Sequence, residues 1–371
     1  MKHSLLYITA LTLLAGCVYP YTADIDTTVN NEVVIDANIL LGNKSTVRLY
    51  YLQPLEVGQY QTSVGYPSGT VYLQDEAGKL YTAEGASGYY TLDIPEPASA
   101  GGKYQLTVIC DGNTYMSEWI EPVAPPVLKD IHFTADEETV YVQMDMEDTG
   151  SGSGYAAVQF DEIWKFHTDY LRSYGYNAES NSVYELMKPD NSHYWCWIRK
   201  VNEMQQLVNY TQLNGNVQNF VVQSFPRSDN RNHSEYDVKV KLWNLTPEQY
   251  QYRKMLEENA SIGGNLFSPE PGVIKGNVYC ENNPEVKVYG YVNIARVTTL
   301  TDILPATYST WRVKYKLQEI EQENWPSYYG KGYMPVDMIL SDKGGEVVGW
   351  GEARCFDCIA AGGTLEKPDF D

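Results

Sequence analysis

Asp237-Val238-Lys239-Val240-Lys241-Leu242-Trp243 is the stretch that decides the fold of this chain most directly. Charged and apolar residues alternate along it, so every second side chain lies on the same side of an extended backbone. Its valines are β-branched and pack well on a pleated surface. The stretch therefore predicts a β-strand with one face in a hydrophobic core and the other in solvent.

Shorter apolar runs, separated by turn residues, extend this pattern in both directions along the sequence. Before the prolines at 122–126, strands are predicted at residues 33–35, 47–51, 71–73 and 104–109. After those prolines, strands are predicted at residues 140–144, 158–160, 220–222, 276–279 and 286–292. Many short strands at this spacing are typical of β-sandwiches.

The best candidate for a domain boundary is Pro122-Val123-Ala124-Pro125-Pro126, because prolines stiffen the chain and remove backbone donors. We predict an all-β fold with two β-sandwich-like (Ig-like) domains, one on each side of this boundary. The N-terminal β-sandwich domain is expected over residues 31–122 and the C-terminal β-rich domain over residues 127–371.

The second domain is also expected to contain one prominent helix, near residues 247–259. Thr246-Pro247-Glu248-Gln249 has the pattern of a capping box, in which the first and fourth side chains bond the exposed backbone N–H groups. Proline at the first helical position is favourable because its fixed φ angle already suits a helix. Gly263-Gly264 is expected to end the helix.

A signal for processing lies at the start of the chain, where Leu14-Ala15-Gly16-Cys17 follows an apolar run. The run is well short of the ~20 residues that a membrane-spanning helix needs. Small residues directly before a cysteine are the pattern of a bacterial lipoprotein signal peptide. We therefore expect residues 1–16 to be removed and Cys17 to carry palmitate or similar acyl chains in the lipid bilayer. Residues 17–30 would then form a tether.

The charge of the chain restricts the class of its partners. Lys and Arg total 27 and Asp and Glu total 48, which gives a net charge of −21. Nucleic-acid binding depends on basic side chains that neutralise phosphates, so a nucleic-acid partner is not expected. Simple solubility is the plainest explanation of the excess of acidic residues.

The cysteines predict disulfides, because an extracytoplasmic compartment is oxidising. Cys355 and Cys358, separated by two residues, are the obvious local pair for a tight-turn disulfide. A zinc half-site, a redox pair or a bond to another cysteine remain alternatives for them. Cys196 and Cys280 are candidates for a second bond, although their connectivity is not fixed by the sequence.

Two aromatic clusters are candidates for a ligand or partner surface, on which a glycan or a peptide would stack. In the first, Trp195 and Trp197 are expected on one face of a strand, with Cys196 on the opposite face. The second contains Trp325, Tyr328 and Tyr329. Packing in a core is the alternative interpretation of both clusters.

Short motifs for catalysis are weak in this sequence. Asp148-Thr149-Gly150 matches the aspartic-protease tripeptide, but that chemistry needs two aspartates and no second such tripeptide occurs. Read as a calcium loop from Asp145, the same stretch has Ala156 where an EF-hand needs glutamate. We therefore expect a solvated turn there, no catalytic residue, no metal site and no cofactor.

Several motifs together resemble a known family. They are Tyr250 through the helix to Ser268, residues 274–279, residues 288–291, and the C-terminal Cys355-x-x-Cys358-x-x-x-Gly362-Gly363-Thr364-x-x-Lys367-Pro368-Asp369-Phe370. The chain resembles the DUF4249 family (domain of unknown function 4249) of Bacteroidota outer-membrane lipoproteins. The resemblance implies an outer-membrane lipoprotein, often encoded beside a TonB-dependent transporter. The protein would lie on either the periplasmic or the cell-surface face of the outer membrane. No catalytic residue is implied.

The expected function is therefore that of a non-enzymatic accessory or binding component beside such a transporter in nutrient uptake. A stand-alone surface protein that binds a glycan or a peptide is the alternative. A hydrolase is a third class, which would require polar groups that converge in one deep pocket.

Overall fold

The structure is a computed structural model that describes residues 32–52, 66–95, 102–148, 150, 152–261, 276–305, 309–310 and 312–370. The predicted signal peptide, the lipidation site Cys17, the tether and Gly263-Gly264 all lie outside these residues. No helix within the described ranges is both long and apolar enough to cross a membrane.

The described residues are mostly strands, which are numbered here in chain order. The first group comprises β1 (Val33–Leu40), β2 (Lys44–Tyr51), β3 (Gly69–Asp75), β4 (Leu80–Thr82), β5 (Glu84–Ala86), β6 (Tyr89–Asp93), β7 (Tyr104–Cys110) and β8 (Asn113–Ser117). The second comprises β9 (Val127–Ala135), β10 (Thr139–Glu147), β11 (Tyr155–His167), β12 (Arg172–Asn177), β13 (Ser182–Asp190), β14 (Trp195–Val201), β15 (Gln206–Asn209), β16 (Asn216–Pro226) and β17 (Glu235–Asn244).

Helix α1 (Pro247–Ser261) follows these strands, in agreement with the predicted helix near residues 247–259. The remaining elements are β18 (Val278–Cys280), β19 (Val288–Tyr289), β20 (Val292–Ala295), β21 (Thr298–Pro305), β22 (Gln318–Glu319), the short helix α2 (Trp325–Gly330), β23 (Tyr333–Leu340) and β24 (Glu346–Glu352).

The first sandwich packs two sheets against each other. One sheet has the order β19-β1-β2-β6-β5, with β20 also paired to β1, and the other has the order β18-β8-β7-β3-β4. Ile35, Leu49, Leu73 and Leu106 are almost completely buried between them. Because alternate residues of each strand point inward, the apolar runs read from the sequence form this core.

The first sandwich also takes three strands from later in the chain. β19 and β20 pair with β1 in parallel, and β18 pairs with β8. The predicted division places residues 278–295 in the domain at 127–371, and for these residues it is wrong. These strands pair with sheet edges whose N–H and C=O groups would otherwise have no partner. Val292 and Ile294 of β20 also pack into the core between the two sheets.

The second sandwich packs the sheet β14-β11-β17-β21, with β15 beside β11, against the sheet β16-β10-β9. Val238, Val240 and Leu242 are fully buried, as the alternation in residues 237–243 predicts. Trp243 lies on the opposite face but is also fully buried. It packs with Leu40 of the first sandwich, so the contact between the two sandwiches covers this end of the sheet.

Helix α1 connects the two sandwiches through its N-terminus. The capping box forms as predicted, because the Thr246 N–H donates to Gln249 Oε1 (2.8 Å) and the Gln249 N–H donates to Thr246 Oγ1 (3.2 Å). The buried Gln249 amide also donates to Asn293 Oδ1 of β20 (2.8 Å). Stacking of Tyr155 on Tyr250, with ring centroids 4.2 Å apart, adds a second contact.

A small aromatic cluster joins the hairpin β12–β13 to the sheet β22-β24-β23 and to α2. Trp350 and Tyr176 are buried in it, and Trp325 packs 5.7 Å from Trp350 between ring centroids. The Trp325 indole N–H donates to the Ile320 carbonyl (2.8 Å). Of the second predicted aromatic surface, Trp325 thus packs in a core, as the alternative interpretation held.

The two tyrosines of that predicted surface have different environments. Tyr328 packs edge-to-face on Tyr333, with centroids 5.3 Å apart, whereas Tyr329 is 41% exposed and packs 5.0 Å from the Tyr176 ring centroid. All three rings of the short helix α2 therefore contact other aromatic rings, and Tyr329 is the most exposed of them.

The disulfide differs from the predicted one. Cys196 of β14 is bonded to Cys358, 162 residues away, and Cys355, Cys280 and Cys110 are free and buried. The predicted Cys355–Cys358 pair is wrong, because Cys355 ends a short 3-10 helix and packs beside Gly351, while Cys358 faces β14. A Cys196–Cys280 bond is excluded because Cys280 lies in the core of the first sandwich.

The zinc and redox alternatives for the Cys355/Cys358 pair lose their chemical basis as well. Cys358 is consumed by the disulfide, and burial raises the pKa of the Cys355 thiol to about 11. Thiolates are the metal ligands and nucleophiles among cysteines, and a buried thiol with such a pKa is protonated at neutral pH.

Replacing Cys196 by alanine is expected to lower the free energy of unfolding by about 2–5 kcal/mol, because the bond closes a very long loop in the unfolded chain. Cys355→Ala is the matched control, which should keep the disulfide and most of the stability. Denaturant unfolding and peptide mapping without reductant measure both effects. Loss of the cross-link in Cys355→Ala would contradict this connectivity.

Candidate functional site

The candidate site begins where β11 ends and β14 starts. Lys165 pairs with Trp197 and His167 pairs with Trp195 across the antiparallel ladder, while Phe166 pairs with Cys196. Because successive residues point to opposite faces, the two tryptophans share the outer face and Cys196 points into the core. The prediction that Trp195 and Trp197 lie on one face is therefore confirmed.

A row of aromatic rings runs along this end of the sheet. His167 stacks on His233 with ring centroids 4.2 Å apart and on Tyr194 at 5.1 Å. Trp195 meets the edge of His167 at 4.9 Å and is 39% exposed. This ring row, residues His167, Tyr194, Trp195 and His233, is thus continuous and open to solvent at Trp195.

Trp197 is covered by other parts of the chain. Lys165 Nζ lies near both indoles, 5.4 Å from the Trp195 ring centroid and 5.6 Å from that of Trp197. Lys367 Nζ contacts Trp197 as well, 4.8 Å from its ring centroid. The Trp197 N–H donates to the Thr364 carbonyl (2.8 Å), and the Thr364 N–H donates back to the Trp197 carbonyl (2.9 Å). Of the two tryptophans singled out in the sequence, Trp195 is therefore the more accessible to a ligand.

The cover over Trp197 is the C-terminal strap, residues 364–370, which crosses the outer face of the sheet. Lys367 Nζ contacts the carboxylates of Glu235 (2.6 Å) and Asp237 (2.5 Å). Arg199 donates to the Phe370 carbonyl (2.6 Å). Burial beneath the strap raises the pKa of Asp237, and the Lys367 ammonium opposes that shift. The C-terminal residues that carry the family resemblance thus have a structural role.

A cavity of about 440 Å³ lies beside the ring row. Its walls come from the end of β11 (residues 166–169), the turn at 226–233, residues 312–315, and Arg354 with Ala361. Small-ligand sites are usually clefts of roughly 300–1,000 Å³, so the size is suitable. The cavity joins segments that are far apart in the sequence.

His233, one of the cavity walls, is held in its neutral form. The His167 backbone N–H donates to His233 Nδ1 (3.4 Å), which requires a lone pair on that nitrogen. Burial, and then the neighbouring His167, lowers the pKa of His233 to about 4. At neutral pH this ring is therefore an uncharged stacking surface.

A buried charged pair holds the turn that carries His233. Arg231 Nε lies 3.1 Å from Glu162 Oε1, and the Tyr236 hydroxyl donates to the same oxygen (2.8 Å). Glu162 is completely buried. The burial of Tyr236 and the nearby Glu162 carboxylate together raise the pKa of Tyr236 well above the ordinary value. Removal of either charge would leave the other buried without a partner, which is strongly destabilising. The pair therefore ties the turn to β11, on which Glu162 lies.

Asp169 positions the opposite wall of the cavity. Its Oδ2 accepts the backbone N–H groups of Lys314 (3.0 Å) and Tyr315 (2.7 Å). The Arg354 guanidinium lies 4.7 Å from the Tyr315 ring and pairs with Glu352 at 2.7 Å. These contacts hold a segment rich in basic side chains beside the ring row.

The Asp148 turn has a structural use. Asp148 Oδ1 accepts the N–H groups of Gly150 and Gly152 (both 3.2 Å), and Oδ2 accepts the Tyr210 hydroxyl (3.1 Å). Asp145 accepts the Asn219 N–H. These contacts support the interpretation as a turn. Within the described residues, no group of three or more His, Cys, Asp or Glu side chains is arranged to hold a metal ion.

Sequence reasoning found Trp195 but missed the rest of this site. His167 and His233 were scattered histidines without a metal-ligand spacing, and Arg312, Lys314 and Arg354 belong to segments without a motif. The only local signal was that His167 ends an apolar strand run, directly before polar residues.

Comparison with known proteins gives one result. A family model described as "Domain of unknown function (DUF4249)" matches residues 18–301, more than half of the chain. His167 and His233 lie within the matched range, whereas Arg312, Lys314, Arg354 and the C-terminal strap lie beyond it. No curated protein matches the chain.

The low pKa of His233 predicts a pH dependence of stability. The folded state favours the neutral His233 ring, so this ring stabilises the fold above pH 6.5. That contribution is lost as the pH falls towards about 4 and the ring becomes protonated. In His233→Asn, whose amide oxygen can replace Nδ1 as acceptor, the loss between pH 6.5 and pH 4 should be smaller by about 1–2 kcal/mol, after allowance for partial exposure. Urea unfolding at several pH values tests this. Identical profiles for both proteins would contradict it.

Proposed function

The chain belongs to the DUF4249 family, and we propose that it is an outer-membrane lipoprotein that binds a ligand and does not catalyse a reaction. In this proposal acylated Cys17 holds it to the lipid bilayer, and the ring row with its cavity captures the ligand. It serves a TonB-dependent transporter as an accessory component in nutrient uptake.

The lipid anchor is supported by the sequence around Cys17. A short apolar run, two small residues and a cysteine occur in the order that lipoprotein processing requires. Each buried methylene contributes about 0.8 kcal/mol, and a single acyl chain binds only marginally. The several chains of a mature lipoprotein would hold the protein almost permanently, with the tether at 17–30 between lipid and first strand.

The ring row is the single observation that carries the binding role. The exposed Trp195 ring contacts His167, and His167 and His233 line a cavity of about 440 Å³ together with polar groups. This combination suits a small ligand that has a ring or a planar group. The acids at the cavity, Asp169 and Asp229, already accept backbone N–H groups, which suits a positioning role better than proton transfer.

The transporter is supported only by the family resemblance, which is an association and not a mechanism. A protein that binds its glycan or peptide alone would have the same site. Purification of the anchored chain from detergent-solubilised membranes distinguishes the two roles. Recovery of the chain with a TonB-dependent transporter supports the accessory role, and its recovery alone supports the stand-alone role.

The anchor predicts that Cys17→Ser moves the protein from the membrane fraction to the soluble extracytoplasmic fraction, because serine has no thiol to acylate. Thr28→Ala, within the tether, is the control and should stay in the membrane. Cell fractionation and mass spectrometry of the N-terminus measure both. An unmodified N-terminus on the wild-type chain would refute the anchor.

The binding site predicts that Trp195→Ala weakens the binding of a panel of saccharides and peptides by roughly tenfold, since an exposed ring contributes about 1–2 kcal/mol when it stacks. Trp119→Ala removes a similarly exposed indole from outside the site and should have no effect. Calorimetric titration provides the measurement. Equal affinities for the wild type and Trp195→Ala would count against the ring row as the site.

A further inference from the structure

Three basic side chains line the cavity beside the ring row, although the chain as a whole is strongly acidic. Arg312, Lys314 and Arg354 line it, whereas the whole chain has a net charge of −21. Arg312 and Lys314 are exposed, and among the described residues neither has a carboxylate within ion-pair distance. These two side chains are therefore available to an anionic group of a ligand.

The acids that face the same cavity are already engaged. Asp169 accepts two backbone N–H groups, and Asp229 accepts the Arg231 N–H (3.0 Å) and pairs with its guanidinium (3.3 Å). Arg354 pairs with Glu352, so Arg312 and Lys314 are the cationic side chains of the lining that form no ion pair with a described carboxylate. The neutral His233 adds no charge to the lining at pH 7.

Given the binding role proposed above, we propose that the cavity takes an acidic sugar, with a carboxylate or sulfate group on its ring. The sugar ring would pack on the ring row, and its anionic group would meet Arg312 and Lys314. Guanidinium and ammonium groups form charge-assisted hydrogen bonds with such oxygens, which are stronger than neutral ones.

An acidic peptide fits the same surface less well. Extended peptides usually bind by adding a strand to an exposed sheet edge. Here the N–H and C=O of Trp197, on the edge strand β14, already bond to Thr364 of the C-terminal strap. The cavity, by contrast, is lined by side chains from several segments of the chain, which suits a compact cyclic ligand better than an extended one.

The test compares galacturonate and glucuronate oligosaccharides, and a sulfated sugar, with their neutral counterparts and with an oligoglutamate peptide, by calorimetric titration of the full chain. Lys314→Glu reverses a charge at the cavity, while Lys316→Glu makes the same change two residues away, outside the lining. Lys314→Glu should weaken the acidic sugar by about tenfold or more. Lys316→Glu should change it by less than about twofold.

The outcomes separate this inference from the binding role itself. Tighter binding of an acidic sugar than of its neutral counterpart, lost in Lys314→Glu alone, supports both. Equal binding of acidic and neutral sugars, weakened by Trp195→Ala, overturns the charge inference and leaves the binding role standing. Preference for oligoglutamate overturns the sugar. Binding of none of these probes at the ring row overturns the inference and the binding role together.

Discussion

The covalent bond between Cys196 and Cys358 joins the edge strand β14 to a segment from near the end of the chain. The residues that follow Cys358 are thereby held against β14. Gly363 then packs so close to Cys196 that an added Cβ would lie 2.5 Å from the cysteine Cβ. Thr364 bonds to Trp197, and the strap crosses the sheet to Lys367 and beyond. With this bond in place, Trp197 on the edge of β14 is bonded to Thr364 and covered, and Trp195 stays exposed.

The two walls of the site are held by different kinds of interaction. The Glu162–Arg231 pair is buried beneath the turn that carries His233, so desolvated charges fix one wall. Asp169 fixes the opposite wall by accepting two backbone N–H groups, although the basic side chains there are exposed. An aromatic wall held by buried charges, opposite exposed basic side chains, is an arrangement that suits a ligand with a ring and an anionic group.

The sequence pattern predicted those elements that depend only on residues close together in the chain. The alternation in residues 237–243 gave the buried valines of β17, and the spacing of Trp195 and Trp197 gave their common face. Thr246 and Gln249 gave the capping box, whose bonds are local by definition. The return of residues 278–295 to the first sandwich could not be read in the same way, because a short apolar run does not state which sheet edge it pairs with.

By itself the sequence determined the class of fold, the main helix, the acidic charge, the family resemblance and the expectation of a lipid anchor. Each of these follows from composition or from residues close together in the chain. Only the tertiary structure decided the disulfide partner of Cys358 and the aromatic core around Trp350. It also decided that His167, His233, Arg312 and Lys314 line the same cavity. Those contacts join segments far apart in the sequence, and they are set by the packing of whole sheets, which no local pattern encodes.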